Sequence, residues 1–213
     1  MRYQLIIFDW DGTMMDSAPR ISTSMQKAAE LANLPPLTYQ QASNIIGLSL
    51  KEAGFALYPD ATAEQLRNLA EHYRDQFVNK NTTPMPLFAG ARALLDELKA
   101  RGYLLAVATG KSRSGLDRTI ASVNLDGYFA ATRTGSDAES KPSPDMILQI
   151  LAELNIKAQD ALMVGDTEYD LLMAKNAGVD SIGVSFGVHD NERLKACGPL
   201  TLIDSLPQLL DWV

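Results

Sequence analysis

The chain is poor in cysteine, in histidine and in basic charge. Cys197 is the one cysteine among 213 residues. A single thiol closes no internal disulfide, so a disulfide scaffold is excluded and a reducing, cytoplasmic setting is expected. The two histidines, His72 and His189, have no partners at metal-ligand spacing and read as surface or structural residues. Lys and Arg number 19 against 26 Asp and Glu, a net charge of -7. Non-specific nucleic-acid binding and docking on anionic membranes both run on the opposite balance. No stretch approaches the roughly 18 uncharged apolar residues of a membrane span. The first apolar run, Leu5–Phe8, is too short for a signal peptide and stops at Asp9. What is left is a globular chain, 46% hydrophobic, long enough for one domain with a sizeable core or a domain carrying an insertion.

Five short, near-continuous apolar runs read as strands covered on both faces: Leu5–Phe8, Tyr103–Ala108, Tyr128–Ala131, Ala161–Val164 and Ser181–Val184. Helical patterns separate them. Ala91–Arg101 puts Leu94, Leu95 and Leu98 on one face and stops at Gly102. Met146–Leu154 is expected to start from Ser143 as N-cap with Pro144 in the first turn, and Thr167–Asn176 ends near Gly178. Strand and helix in alternation imply right-handed crossovers and a doubly wound parallel sheet, a Rossmann-like α/β core. The stretch from about Ser17 to Thr83 breaks the alternation. It is helical throughout, with Ser22–Leu34 and Ala63–Asn79 clearest, and is bracketed by Pro19 and Pro84-Met85-Pro86. The expected division is therefore a core of 1–16 and 84–213 with an inserted α-helical cap of 17–83.

Open parallel sheets bind ligands beyond the carboxyl ends of their strands. After the first run stands Asp9-Trp10-Asp11-Gly12-Thr13, and after the second Thr109-Gly110-Lys111-Ser112. Lys141-Pro142-Ser143-Pro144 precedes a helix, and Gly165-Asp166-Thr167-Glu168-Tyr169-Asp170 follows the fourth run. Four carboxylates gathered together repel one another unless a cation intervenes. Mg²⁺ takes oxygen ligands and sits beside substrate phosphates. Lys141 would neutralise further charge, Thr109 offers a hydroxyl, and Gly110 offers backbone N–H near a helix start. This set points to phosphoryl transfer. Asp9, fixed at a strand end, is the better nucleophile; Asp11, two residues on, suits proton transfer to the leaving oxygen and from the attacking water. Gly12 permits the sharp turn after the strand.

In this order, Asp9-x-Asp11-Gly-Thr13, Thr109, Lys141 and Gly165-Asp166-x-x-x-Asp170 resemble the four motifs of the haloacid dehalogenase superfamily of hydrolases, over nearly the whole chain. The run from Asp9 to Pro19 is similar to the phosphoglycolate phosphatase-like branch, which carries a helical cap between the first two motifs. The resemblance implies Asp9 as nucleophile, Asp11 as acid/base, and phosphate contacts from Thr109, Gly110 and Lys141. It also implies Mg²⁺ on the Asp9 side chain, the Asp11 carbonyl and Asp166, with Asp170 a direct or water-mediated ligand. The implied substrate is a small phosphorylated metabolite, and the protein a monomer or homodimer without nucleic-acid or membrane partners.

Two departures narrow the chemistry. Dehalogenases of the superfamily lack the second aspartate, which Asp11 supplies here. Its sugar phosphomutases carry a histidine twelve residues past the nucleophile, where this chain has Ile21. A phosphomutase and a non-catalytic phospho-acceptor or phosphate-binding regulatory module are the alternatives. Asp166 and Asp170 also suit a plain helix N-terminus. Lys111 is read as a solvated charge, Arg20 as the insertion's nearest basic residue to the site, and Ile46-Gly47-Leu48-Ser49 as a loop over it.

Overall fold

The computed structural model describes residues 2–213. Six strands, β1 (Leu5–Phe8), β2 (Leu104–Thr109), β3 (Ala131–Thr134), β4 (Ala161–Gly165), β5 (Asp180–Val184) and β6 (Thr201–Ile203), form one parallel sheet in the order β3-β2-β1-β4-β5-β6. Every residue of β1 is buried, as a strand covered on both faces requires. Alternation sends Ile6 and Phe8 to one face and Leu5 and Ile7 to the other.

Nine α-helices are seen among the described residues: α1 (Ala18–Leu31), α2 (Tyr39–Asn44), α3 (Leu50–Leu57), α4 (Ala63–Asp75), α5 (Ala91–Ala100), α6 (Arg113–Ser122), α7 (Asp145–Leu154), α8 (Glu168–Asn176) and α9 (Asn191–Ala196). The first face of the sheet is packed by Leu94, Leu95 and Leu98 of α5 and by Leu116 and Ile120 of α6. The second is packed by Met146, Ile147 and Ile150 of α7 and by Met173 and Ala174 of α8. Helices α1–α4 lie between β1 and β2 in the chain and enclose an apolar cluster of their own, with Met25, Ala28, Ile45 and Leu69 at its centre. Thr38 and Thr62 each close a capping box at the start of α2 and α4. A π-helical turn, Gln76–Lys80, continues α4.

Several expected boundaries move. The third strand runs over Ala131–Thr134, not Tyr128–Ala131; Tyr128 and Phe129 instead pack against the first-face core from the preceding loop. The three-residue edge strand β6 was not expected at all. Pro144, not Ser143, occupies the N-cap position of α7, without a side-chain cap. Helix α1 starts at Ala18, four residues before the expected Ser22, because Pro19 suits the first turn of a helix.

Candidate active site

The direction of winding reverses between β1 and β4, and the acidic residues gather at this switch point. Phe8 lies opposite Val164, and the Asp9 N–H donates to the Val164 carbonyl at 2.9 Å, so Asp9 and Asp166 leave neighbouring strands side by side. Beyond Asp9 the chain turns at once. Gly12 has φ +85, and a Cβ there would stand 2.2 Å from Asp166 Oδ2, so both backbone and space demand glycine. Thr13 Oγ1 and the Val188 N–H donate to the two oxygens of Asp166 at 2.8 and 2.9 Å.

Asp9, Asp166 and Asp170 are each wholly buried, and each brings an oxygen within 4.8 Å of the others. Lys141, equally enclosed, donates to Asp9 Oδ1 at 2.5 Å and to Asp170 Oδ1 at 2.7 Å. Burial alone would push the Lys141 ammonium down; Asp170 and Asp9 outweigh it and hold the lysine protonated well above its usual range. Burial raises Asp9 well above the carboxylate range, against Lys141 and with help from Asp170, Asp166 and Asp11. Burial, and then Asp170, raise Asp166 to about 7. One lysine therefore under-neutralises three enclosed carboxylates. Asp9 Oδ2 is buried without any hydrogen-bond partner. Oxygen donors of this number, spacing and excess charge fit a hard divalent cation. Asp170 differs from the other two. Its Oδ2 accepts from Thr167 N and Oγ1 in the capping box of α8 while its Oδ1 takes Lys141, so helix capping and the acidic cluster share one side chain.

Asp11 stands apart, facing the cleft between core and helical insertion. Ser17 Oγ donates to its Oδ1, and Lys111 Nζ reaches the same oxygen at 2.7 Å. The Lys111 side chain is 8% exposed, so the expectation of a solvated charge was wrong. The Phe77 ring covers it, with its centroid 5.2 Å from Nζ. Arg20 does not reach the acidic cluster. Its guanidinium donates twice to the Phe77 carbonyl, at 3.0 and 2.7 Å. Thr109 is buried at the end of β2, and Gly110, the next residue, borders the cleft that Asp11 also lines. Trp10 is wholly buried and packs edge-on against Phe129, a core role.

The insertion closes down on this edge. A Cβ on Gly110 would lie 2.3 Å from the Leu48 carbonyl oxygen, and Ser49 N donates to Ser140 Oγ at 2.9 Å, so the Gly47–Ser49 loop does lie over the site. A second contact brings in Asn44 and Arg193, which the sequence did not single out. His189 Nδ1 accepts from Glu168 N–H at 3.1 Å, which leaves the proton on Nε2 to donate to the Asn44 carbonyl at 3.2 Å. Arg193 donates to Asn44 Oδ1 and pairs with Glu168. His189 is thus structural, as expected, but it joins core to insertion.

A parallel sheet with an acidic cluster at its switch point and a helical insertion over it defines a class of α/β enzymes rather than one reaction. The family model for haloacid dehalogenase-like hydrolases matches residues 6–184. The chain belongs to that family. It is 34% identical over 211 residues to "Probable phosphatase IndB" of Dickeya dadantii, covering 97% of this chain and 91% of that protein. It is 30% identical over 219 residues to a phosphoglycolate phosphatase of Vibrio parahaemolyticus, covering 99% and 96%. The crystal structure of a predicted phosphatase from Clostridium acetobutylicum superposes with a TM-score of 0.88 at 30% identity, over 100% of this chain and 98% of that one.

Proposed function

We propose that the protein is a Mg²⁺-dependent phosphatase that hydrolyses a small phosphate monoester through phospho-Asp9, with the helical insertion acting as its cap. The observation that carries the reading is Asp9 itself: one carboxylate oxygen is held by Lys141 while the other is buried and unpartnered, which leaves one oxygen uncommitted. The names borne by the relatives support a phosphomonoester substrate. Lys51, Arg74 and Arg118 line the cleft without a carboxylate partner among the described residues, which suits the approach of a phosphate dianion.

Asp9 and Asp166 would hold the ion together with the Asp11 carbonyl, and Asp170, both of whose oxygens are committed, would act through water. When bound, the ion neutralises the carboxylates and the phosphate oxygens. In the first step an Asp9 oxygen attacks phosphorus, the phosphorus–alkoxide bond breaks, and Asp11 gives its proton to the departing alkoxide. Thr109, the Gly110 N–H and Lys141 steady the equatorial oxygens. In the second step Asp11, now a carboxylate, takes a proton from water as that water attacks phosphorus. The Asp9–phosphorus bond breaks and inorganic phosphate leaves. Ile21, buried beside the cleft, offers no proton-transferring group for a mutase half-reaction. The same reading places the enzyme in the cytoplasm.

Hydrolysis of 2-phosphoglycolate or p-nitrophenyl phosphate, lost with EDTA and restored by Mg²⁺, tests the reaction. Asp9→Asn should lower kcat by about 10³-fold or more without unfolding the protein. An Asp9→Asn enzyme at the wild-type rate contradicts the assignment.

A further inference from the structure

The cleft between core and cap has a volume of about 1350 Å³ even with the Gly47–Ser49 loop seated. Pockets for small ligands run to roughly 300–1,000 Å³, so this one is far larger than a phosphorylated two-carbon acid requires. Its inner wall is apolar. Ile21 and Met25 of α1 are buried there, and Tyr73 and Phe77 stack on one another with centroids 5.7 Å apart and planes 24° from parallel. The pair stands close to the reacting centre. Phe77 covers Lys111, whose Nζ touches Asp11, and the Tyr73 phenol is pushed up by burial and then by the Asp11 carboxylate.

The wall is built rather than incidental. The π-helical turn, a rare conformation often found at functional sites, carries Phe77. Arg20 holds the turn from behind through two hydrogen bonds to the Phe77 carbonyl and lies 5.2 Å over the same ring. Two lysines of the lining are already engaged, Lys111 with Asp11 and Lys141 with Asp9 and Asp170. The unpaired Lys51, Arg74 and Arg118 are exposed residues. A leaving group seated on this wall meets Ile21, Met25 and the two aromatic side chains, while the cations left for a phosphate dianion stand on exposed residues of the lining.

Resting on the phosphatase reading above, we propose that Tyr73 and Phe77 form a leaving-group subsite for a phosphate monoester whose alcohol carries a flat, largely apolar ring. The ring lies against the Phe77–Tyr73 stack while the phosphoryl group faces Asp9. An aromatic contact with such a pair, offset or edge-on, is worth roughly two- to tenfold in affinity beyond the area it buries.

Calorimetry with non-hydrolysable phosphonates separates this subsite from turnover. With Mg²⁺ present, 2-phenylethylphosphonate should bind wild type about tenfold more tightly than propylphosphonate, and more tightly than 3-phosphonopropionate, which mimics the two-carbon acid. In Phe77→Ala the ratio of phenylethyl to propyl affinity should fall to within about threefold of unity. Because the ratio is taken within one protein sample, a partly unfolded fraction cancels. Tighter binding of 3-phosphonopropionate overturns the proposal, and so does a ratio that Phe77→Ala leaves unchanged. If 2-phenylethylphosphonate binds as expected but neither benzyl phosphate nor 2-phosphoglycolate is hydrolysed, the subsite stands and the phosphatase reading falls.

Discussion

Gly110→Ala is a small change with a large expected effect. The backbone at Gly110 is not in the left-handed region, so alanine adds no conformational strain there; the cost is steric. The new Cβ would stand 2.3 Å from the Leu48 carbonyl oxygen and 2.5 Å from that of Gly47. An ordinary carbon–oxygen contact is about 3.3 Å, so the Gly47–Ser49 loop must retreat by about 1 Å. The 2.9 Å hydrogen bond from Ser49 N to Ser140 Oγ then stretches out of range, a loss of about 1 kcal/mol. The greater loss is in the chemistry, since about 1 Å of misplacement costs on the order of 10²-fold in rate. Steady-state kinetics on 2-phosphoglycolate or benzyl phosphate should show kcat/KM down about 100-fold, while the Tm falls by only a few degrees because no core contact changes. A variant within threefold of the wild-type kcat/KM would refute the argument that Gly110 seats the Gly47–Ser49 loop. A collapse of Tm would show that its role lies in folding instead.

Other outcomes follow from the same contacts. Lys141→Met leaves Asp9 and Asp170 buried without their shared counter-charge, which should cost about 3–5 kcal/mol in denaturant unfolding and abolish turnover. An unchanged midpoint would mean the ion pairs contribute nothing. The His189 imidazole is held below its ordinary value of 6.5, first by burial. Below that pH the unfolded chain binds a proton that the folded one resists, so this part of the stability is present above pH 6.5 and is lost as the pH falls beneath it. Unfolding midpoints of wild type and His189→Gln should converge on acidification; parallel curves would count against the buried neutral imidazole.

The sheet and the acidic residues were largely legible because both follow from local pattern. A run such as Leu5–Phe8, apolar on both faces, has few alternatives to a central parallel strand, and the polar residues after it must fall at the carboxyl edge. The edge strands were not legible for the same reason. β3 reads Ala-Thr-Arg-Thr and β6 is three residues long, so neither shows an apolar run. Lys111 was misread because its environment comes from elsewhere in the chain. Nothing near residue 111 announces that Phe77, on a π-helical turn of the insertion, will cover it, or that Asp11, 100 residues away, will take its charge. The His189–Asn44 contact spans 145 residues and follows no spacing rule. Gly110 was read as a phosphate cradle; its lack of a Cβ also makes room for the Leu48 carbonyl.

The proposed mechanism requires that Asp9 become phosphorylated. Asp11→Asn slows the water step that removes the phosphoryl group, whereas p-nitrophenolate departs without needing its proton; acid-quenched samples of that variant taken during turnover of p-nitrophenyl phosphate, digested and weighed by mass spectrometry, report on Asp9 directly. One added phosphoryl group is expected on the peptide containing Asp9, absent when Asp9 is also replaced by Asn. Steady hydrolysis with that peptide unmodified, or with the group on another residue, would contradict it.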